Sequence, residues 1–237
     1  MKRRSIFSTF TALAETLALA GTALAADPVV NGSFESGSNA PTGAFRTLET
    51  GNTDMTGWTV DSGSVDWIGG YWQAAHGSLS LDLAGNEPGC VSQTFATTIG
   101  ASYFVQFSMS GNPDGHGTIN LRGEKSLSVQ ASGAALETKT YNTATEGNTL
   151  EDMKWATRDY TFVATSSSTT LTFCDTTAVG GPYGAALDAI VITETLPTGA
   201  NCKKDGWKTH ASGPFKNQGD CVSFFATGEK NLANPRD

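Results

Sequence analysis

The stretch YFVQFSMSGN, residues 103–112, alternates between two kinds of side chain. Every second position from Tyr103 to Met109 carries a large apolar residue, and the positions between them are Phe104, Gln106 and Ser108. Because successive side chains of a β-strand point to opposite faces of the sheet, this period of two predicts a strand with one face buried. Antiparallel sheets commonly have one face on the core and the other toward solvent.

The same period recurs between residues 29 and 193. We predict further strands at 57–60, 64–68, 79–83, 90–96, 118–122, 125–131, 160–162, 171–173 and 185–193. Residues 36–55 and 132–153 are polar and aperiodic, so we predict loops there, and no segment has the pattern of an amphipathic helix. About ten short strands at this spacing predict an all-β fold, a β-sandwich or jelly roll.

Residues 1–26 have the pattern of a secretory signal peptide. Lys2, Arg3 and Arg4 precede a largely apolar segment, which ends in the cleavage signal Ala23-Leu24-Ala25. No other stretch approaches the 18 apolar residues of a membrane-spanning helix. We therefore expect a secreted, extracellular protein, with no membrane insertion after signal cleavage.

Charge divides the rest of the chain into two units. The whole chain has a formal net charge of −8, which argues against nucleic acid as a partner because phosphate contacts need a basic surface. Residues 27–196 carry 6 basic and 18 acidic side chains, whereas residues 197–237 carry 6 basic and 4 acidic ones. We predict a β-sandwich over residues 27–195, a linker over 196–201 and a small C-terminal module over 202–237.

The four cysteines, Cys90, Cys174, Cys202 and Cys221, allow three pairings. In an exported chain an even number of cysteines favours disulfides over free thiols. The spacing lacks the CxxC pairs typical of a zinc site. We favour Cys90–Cys174 within the first unit and Cys202–Cys221 within the second. A module this small is not expected to hold a core without its disulfide.

Several motifs occur in a characteristic order along the first unit. They are NGSFE (31–35), GWTV (57–60), SVDWIGGYW (64–72), HGSLSLDLAG (76–85), GCVSQTF (89–95), TTLTFC (169–174) and GGPYGAALDAIVI (180–192). In order and spacing this set resembles the choice-of-anchor C family of secreted bacterial proteins, related to the domain-of-unknown-function 642 family of plant cell-wall proteins. The resemblance covers residues 29–193 and implies a galactose-binding-like jelly roll associated with carbohydrate or cell walls. The variable C-terminal anchors of that family have no recognisable counterpart here.

Two acidic residues near the ends of the first unit are candidate metal ligands. Glu35 follows the first predicted strand and Asp188 lies in the last one. In carbohydrate-binding sandwiches similar to this family, acids at both ends hold a structural calcium. Carboxylates together with backbone carbonyls supply the six to eight oxygens that Ca²⁺ binds. The alternative is that Glu35 caps a turn and Asp188 accepts a backbone hydrogen bond.

Aromatic residues beside Gly69-Gly70 are candidate sugar contacts. Trp67, Tyr71 and Trp72 lie there, and aromatic rings stack on the apolar faces of sugars while their polar edges keep a hydrogen bond. The strand alternation places Trp67 in the core. A pair of aromatics next to a turn is harder to bury, so Tyr71 and Trp72 are the better candidates. The alternative is that these rings, too, pack in the core.

Two glycine-rich loops carry further candidates. Asn112 and Asp114 lie in GNPDGHG (111–117), and Tyr183 lies in GGPYG (180–184). Short polar side chains on loops at strand ends are suited to ligand binding. Asn-Pro and Asp-Gly are also turn formers in their own right, so both interpretations stay open.

Three functions remain possible from the sequence. The first is a non-catalytic protein that binds a polysaccharide or cell-wall glycan. The second is an extracellular structural or adhesion protein that contacts proteins or matrix. The third and least favoured is a glycosidase, because no catalytic motif occurs and neither Asp66 nor Asp82 stands out among the acids.

Overall fold

A computed structural model describes residues 27–114, 123–178, 181–195, 202–203, 206–209 and 215–227. The predicted signal peptide, the linker and the candidate strand at 118–122 lie outside these residues. Within the described part, no helix has the length and apolar character to cross a membrane.

Eleven described strands form two antiparallel sheets. The six-stranded sheet has the order β1 (Phe45–Glu49), β3 (Ser64–Ile68), β4 (Ser80–Asp82), β11 (Ala185–Thr195), β6 (Ser102–Gly111) and β9 (Ala156–Val163). The five-stranded sheet has the order β2 (Thr59–Ser62), β5 (Cys90–Ala96), β10 (Ser168–Asp175), β7 (Glu124–Ala131) and β8 (Glu137–Asn142). The predicted all-β jelly-roll sandwich is confirmed.

The core lies between the two sheets and follows the alternation of the strands. In β6, Tyr103, Val105, Phe107 and Met109 are all buried in the main hydrophobic cluster. Phe104, between them, is 40% exposed. Since the same alternation runs through β3 and β4, the residues on either side of Trp67 and Leu81 lie on the outer face of the six-stranded sheet. That face carries the candidate site.

Strands β1 and β8 lie in segments that we predicted to be loops. Both are at the edge of their sheet, and each has only one fully buried residue, Leu48 in β1 and Tyr141 in β8. Edge strands with so few core contacts do not have the apolar period that identifies a half-buried strand. Their backbone pairing, which the sequence pattern does not report, makes them strands.

Both predicted disulfides are confirmed. Cys90 and Cys174 are bonded across adjacent strands β5 and β10, and Cys202 is bonded to Cys221. The second bond lies in a separate small core with Phe215 and Phe224. The sandwich contains the one-turn helix α1 (Thr143–Glu146), and this module contains helices α2 (Gly206–Thr209) and α3 (Gln218–Ala226); we predicted none of the three. Asn217 caps α3 by accepting a hydrogen bond from the Asp220 amide at 2.9 Å.

Candidate functional site

Two segments fold over the outer face of the six-stranded sheet. One follows β3 and carries Trp72, and the other precedes β9 and carries Met153; both pack on Ile68 of β3 and Ala186 of β11. A hydrogen bond connects the two segments, because the Gln73 backbone amide donates to the Leu150 carbonyl at 2.9 Å. The two segments therefore enclose part of a sheet face that would otherwise be open.

A cavity of about 160 Å³ lies on this face. Its lining combines aromatic rings with carboxyl and amide groups, and the residues are Phe45, Asp66, Ile68, Tyr71, Asp82, Asn112, Pro182 and Tyr183. They come from β1, β3, β4 and the segments that follow β3 and β6 and precede β11. Antiparallel pairing places Phe45 opposite Ile68 and Asp66 opposite Asp82, which brings these four side chains to one face.

The Asp82 carboxyl group forms the floor of the cavity and is 1% exposed. Its Oδ1 accepts hydrogen bonds from the amides of Ala84 (3.0 Å) and Gly184 (3.1 Å), and its Oδ2 accepts one from Asn112 Nδ2 (2.8 Å). Burial raises the pKa of Asp82 to about 8, although these donors lower it. A Cβ on Gly184 would lie 2.8 Å from Asp82 Oδ1, so glycine is required for this close approach.

Asp66 lies beside Asp82 in a less crowded position. One carboxylate oxygen accepts a hydrogen bond from Thr47 Oγ1 at 2.6 Å. The second has no hydrogen-bond partner among the described residues and is not sealed from solvent. Burial also raises the pKa of Asp66. Asp66 is therefore the acid at the cavity that has an acceptor oxygen left for a ligand.

Tyr71 forms a wall that other aromatic and acidic groups hold in place. Its hydroxyl donates a hydrogen bond to Asp114, which links the segment after β3 to the segment after β6. Its ring packs edge-on against Phe45 with centroids 5.5 Å apart. Burial, followed by the Asp114 contact, raises the pKa of Tyr71, so the phenol stays protonated. Phe45 is 47% exposed and forms the outer lip of the cavity.

Four of the six residues that we predicted as ligand contacts meet at this cavity. Tyr71, Asn112 and Tyr183 line it, and Asp114 supports Tyr71.

The other two candidates are buried. Trp72 is 5% exposed and donates its indole N–H to Ser80 Oγ at 2.8 Å, so it packs beneath the covering segments. Trp67 is fully buried in the main core and donates to the Phe34 carbonyl at 3.1 Å. Trp67 therefore lies in the core, as the strand alternation predicted, and a ligand at the surface cannot reach it.

Phe45 was missed because it lies in β1, which the sequence predicted as loop. Asp66 and Asp82 were noticed in the sequence but could not be chosen among the other acids. The signal that selects them is the register of β3 against β4, which makes them direct neighbours. Sequence spacing carries no information on that register.

Glu35 and Asp188 hold one loop from two sides. Glu35 Oε1 accepts from the amides of Ser78 (2.9 Å) and Leu79 (2.7 Å), and Asp188 Oδ2 accepts from those of Ala75 (2.8 Å) and His76 (2.9 Å). Burial and, to a smaller degree, the nearby Glu35 charge raise the pKa of Asp188 to about 6. Among the described residues no group of three or more His, Cys, Asp or Glu side chains is arranged to hold a metal.

The raised pKa of Asp82 predicts that stability falls as pH rises. An acid whose pKa is 3.8 when unfolded and about 8 when folded keeps its proton in the folded state between these values, so the folded form binds the extra proton. Between pH 6 and 8 we expect the free energy of unfolding to fall, and Asp188, whose pKa is about 6, adds to this fall only near the lower end of the range. The slope approaches about 1.4 kcal/mol per pH unit for one proton.

Urea unfolding at pH 6, 7 and 8 measures this slope. Asp82→Asn should flatten it, and Asp61→Asn, at an exposed acid on β2, should leave it unchanged. The readout is the change in unfolding free energy with pH. The absolute stability is not used, because the asparagine side chain introduced at position 82 also changes the hydrogen bond with Asn112. Equal slopes in the wild type and Asp82→Asn would contradict the prediction.

Comparisons with known proteins identify the family of the sandwich. Halomucin of Haloquadratum walsbyi (strain DSM 16790 / HBSQ001) is 34% identical over 170 residues, which are 70% of this chain and 2% of Halomucin. The chain thus spans a very small part of that relative.

Among solved structures, TmCBM61 in complex with beta-1,4-galactotriose is 16% identical with a TM-score of 0.39, covering 71% of this chain and 99% of that one. CBM35 from Paenibacillus barcinonensis is 16% identical with a TM-score of 0.38, covering 64% and 99%. The profile of the family described as "Protein of unknown function (DUF642)" matches residues 27–193. The chain belongs to the DUF642 family.

Proposed function

We propose that this protein is a secreted, non-catalytic carbohydrate-binding protein and that the cavity beside β3 and β4 is its binding site. The observation that carries this proposal is the composition of the lining. Phe45, Tyr71 and Tyr183 provide aromatic surface, and Asp66 and Asn112 provide polar groups at the same cavity. Sugars present both apolar C–H faces and hydroxyl groups, so a site for them needs both kinds of group within reach of one ring.

Each polar group has a separate part in this proposal. Asp66 accepts hydrogen bonds from sugar hydroxyls through its second carboxylate oxygen. The Tyr183 ring offers an apolar face, and burial of that face against a sugar contributes to affinity. Asp82 and Asn112 are bonded to each other and to the backbone. Their part is to hold the floor rigid, which lowers the entropy cost of binding.

The hydrogen bonds of the two acids favour binding over catalysis. A glycosidase needs one carboxyl group free to donate a proton and a second free to act as base or nucleophile. Asp82 is 1% exposed, and N–H groups of the fold already surround both of its oxygens, so it cannot transfer a proton to a bound sugar. This leaves Asp66 without an acid partner that can reach a substrate, so we propose no hydrolytic activity.

An extracellular location and a cell-wall glycan as partner belong to the same proposal. The Cys90–Cys174 and Cys202–Cys221 disulfides support export to an oxidising compartment. Residues 1–26 supply the predicted signal, and we retain the choice-of-anchor C resemblance as a proposal about the cell-wall setting.

We also propose that Glu35 and Asp188 hold a structural calcium ion. They converge on the segment from Ala75 to Leu79, and each side chain keeps lone pairs beyond the hydrogen bonds that it accepts there. A divalent cation would relieve the repulsion between these two neighbouring carboxylates. The remaining oxygens of a six-to-eight-ligand shell would have to come from backbone carbonyls.

Retention on insoluble polysaccharides tests the binding function. We expect the mature protein to be retained on at least one of cellulose, xylan, chitin, pectin or peptidoglycan. Tyr183→Ala and Phe45→Ala should each weaken retention about tenfold, because each removes an aromatic surface at the cavity.

Phe104→Ala is the matched control. Phe104 is also an exposed phenylalanine on the outer face of the six-stranded sheet, but it lies in β6 eight residues before Asn112, about 25 Å along the strand. Retention should be unchanged in this variant. Absence of retention on every polymer would contradict the proposal and favour the adhesion alternative, whose partners are proteins.

Calcium removal tests the metal proposal. Thermal unfolding of the calcium-loaded protein should occur about 5 °C or more above that of the EDTA-treated protein when calcium is at a hundred times its Kd. Glu35→Gln should remove the difference. An unchanged Tm in EDTA would contradict a structural calcium at this position.

A further inference from the structure

The cavity has room for a single sugar ring. Its volume is about 160 Å³, and a protein cavity of about 150 Å³ holds one benzene molecule. Sites that enclose larger ligands are typically about 300–1,000 Å³. One six-membered ring therefore fills the space, and the other units of any chain must lie outside it.

The floor of the cavity does not let a chain pass through. Asp82 is 1% exposed and Asn112 is 4% exposed, and a hydrogen bond of 2.8 Å joins them. The Asn112 side chain also donates a hydrogen bond to the Pro182 carbonyl at 3.3 Å. The Asn112 backbone amide donates to the Gly184 carbonyl at 3.0 Å. These bonds tie the end of β6 to the start of β11. A sugar can enter from the solvent side but cannot continue beyond the floor.

The charge of the lining selects against acidic sugars. Among the described lining residues, Asp66 is the acid with an oxygen open to a ligand, Asp82 keeps its proton below about pH 8, and no lysine or arginine is present. The nearby Lys125 is 1% exposed and is not among the lining residues, and its Nζ donates to the Tyr183 carbonyl at 2.6 Å. A uronic acid would place its carboxylate against Asp66 without a cation to pair with it, which is costly in a partly buried site.

We propose that the cavity binds one uncharged sugar at the end of a chain or branch and rejects uronic acids. This inference rests on the proposed function and makes it specific, since it names the ring count and the charge of the ligand. Phe45 at the solvent side contacts at most the next unit of the chain. Affinity is then set by the terminal ring and changes little with chain length.

Competition on the retained polymer tests the ring count. The probes are glucose, xylose and N-acetylglucosamine, each with its linear dimer, tetramer and hexamer, added to full-length protein on the matching polymer. We expect the competing monosaccharide and its hexamer to have affinities within about threefold of each other. A larger rise from monomer to hexamer would overturn the chain-end proposal, and the carbohydrate-binding function would still stand.

A second comparison tests charge selection at the same site. The comparison uses a neutral sugar that competes and its uronic acid, either glucose with glucuronic acid or galactose with galacturonic acid. The uronic acid should bind at least tenfold more weakly than the neutral sugar. Asp66→Asn should reduce that discrimination at least threefold, while Asp61→Asn should preserve it. Equal binding of the neutral and acidic sugars by the wild type would overturn the proposal without any variant, so the test holds even where Asp66→Asn does not fold.

Discussion

The buried carboxyl group of Asp82 fixes the geometry on which the candidate site depends. It accepts hydrogen bonds from Ala84, Gly184 and Asn112, which follow β4, precede β11 and follow β6. Three chain segments far apart in sequence thus meet at one side chain. Because a buried carboxyl group without such donors is costly, the fold must bring all three segments together for Asp82 to be accommodated. The cavity is the space that this arrangement leaves in front of the sheet.

The alternation of apolar residues was sufficient to predict the sandwich but not all of its strands. β6 was predictable from the sequence because four core residues recur at a period of two. β1 and β8 were not, because an edge strand with one buried residue has no such period. Helix α3 was missed for a different reason: its first turn contains Gly219 and Asp220, residue types that are typical of turns.

The candidate site was partly predictable for a related reason. Tyr71, Asn112 and Tyr183 lie in or beside glycine-rich turns at strand ends, and the structure brings all three to one cavity. Phe45 and Asp66 reach the cavity only through pairing of β1 with β3 and of β3 with β4. Cross-strand register depends on the whole sheet, so no short stretch of sequence reports it. The same limit explains why Asp66 looked like any other acid.

Chemical-shift mapping of ¹⁵N-labelled protein during titration with a competing sugar tests most directly whether this cavity is the binding site. If the sugar binds in this cavity, the largest changes occur at the Gly184 backbone amide and the Asn112 side-chain amide. Thr94 and Thr170, which bond to each other on the outer face of the opposite sheet, should not shift. Changes confined to that opposite sheet, or to residues 202–227, would contradict the account and place the binding site elsewhere.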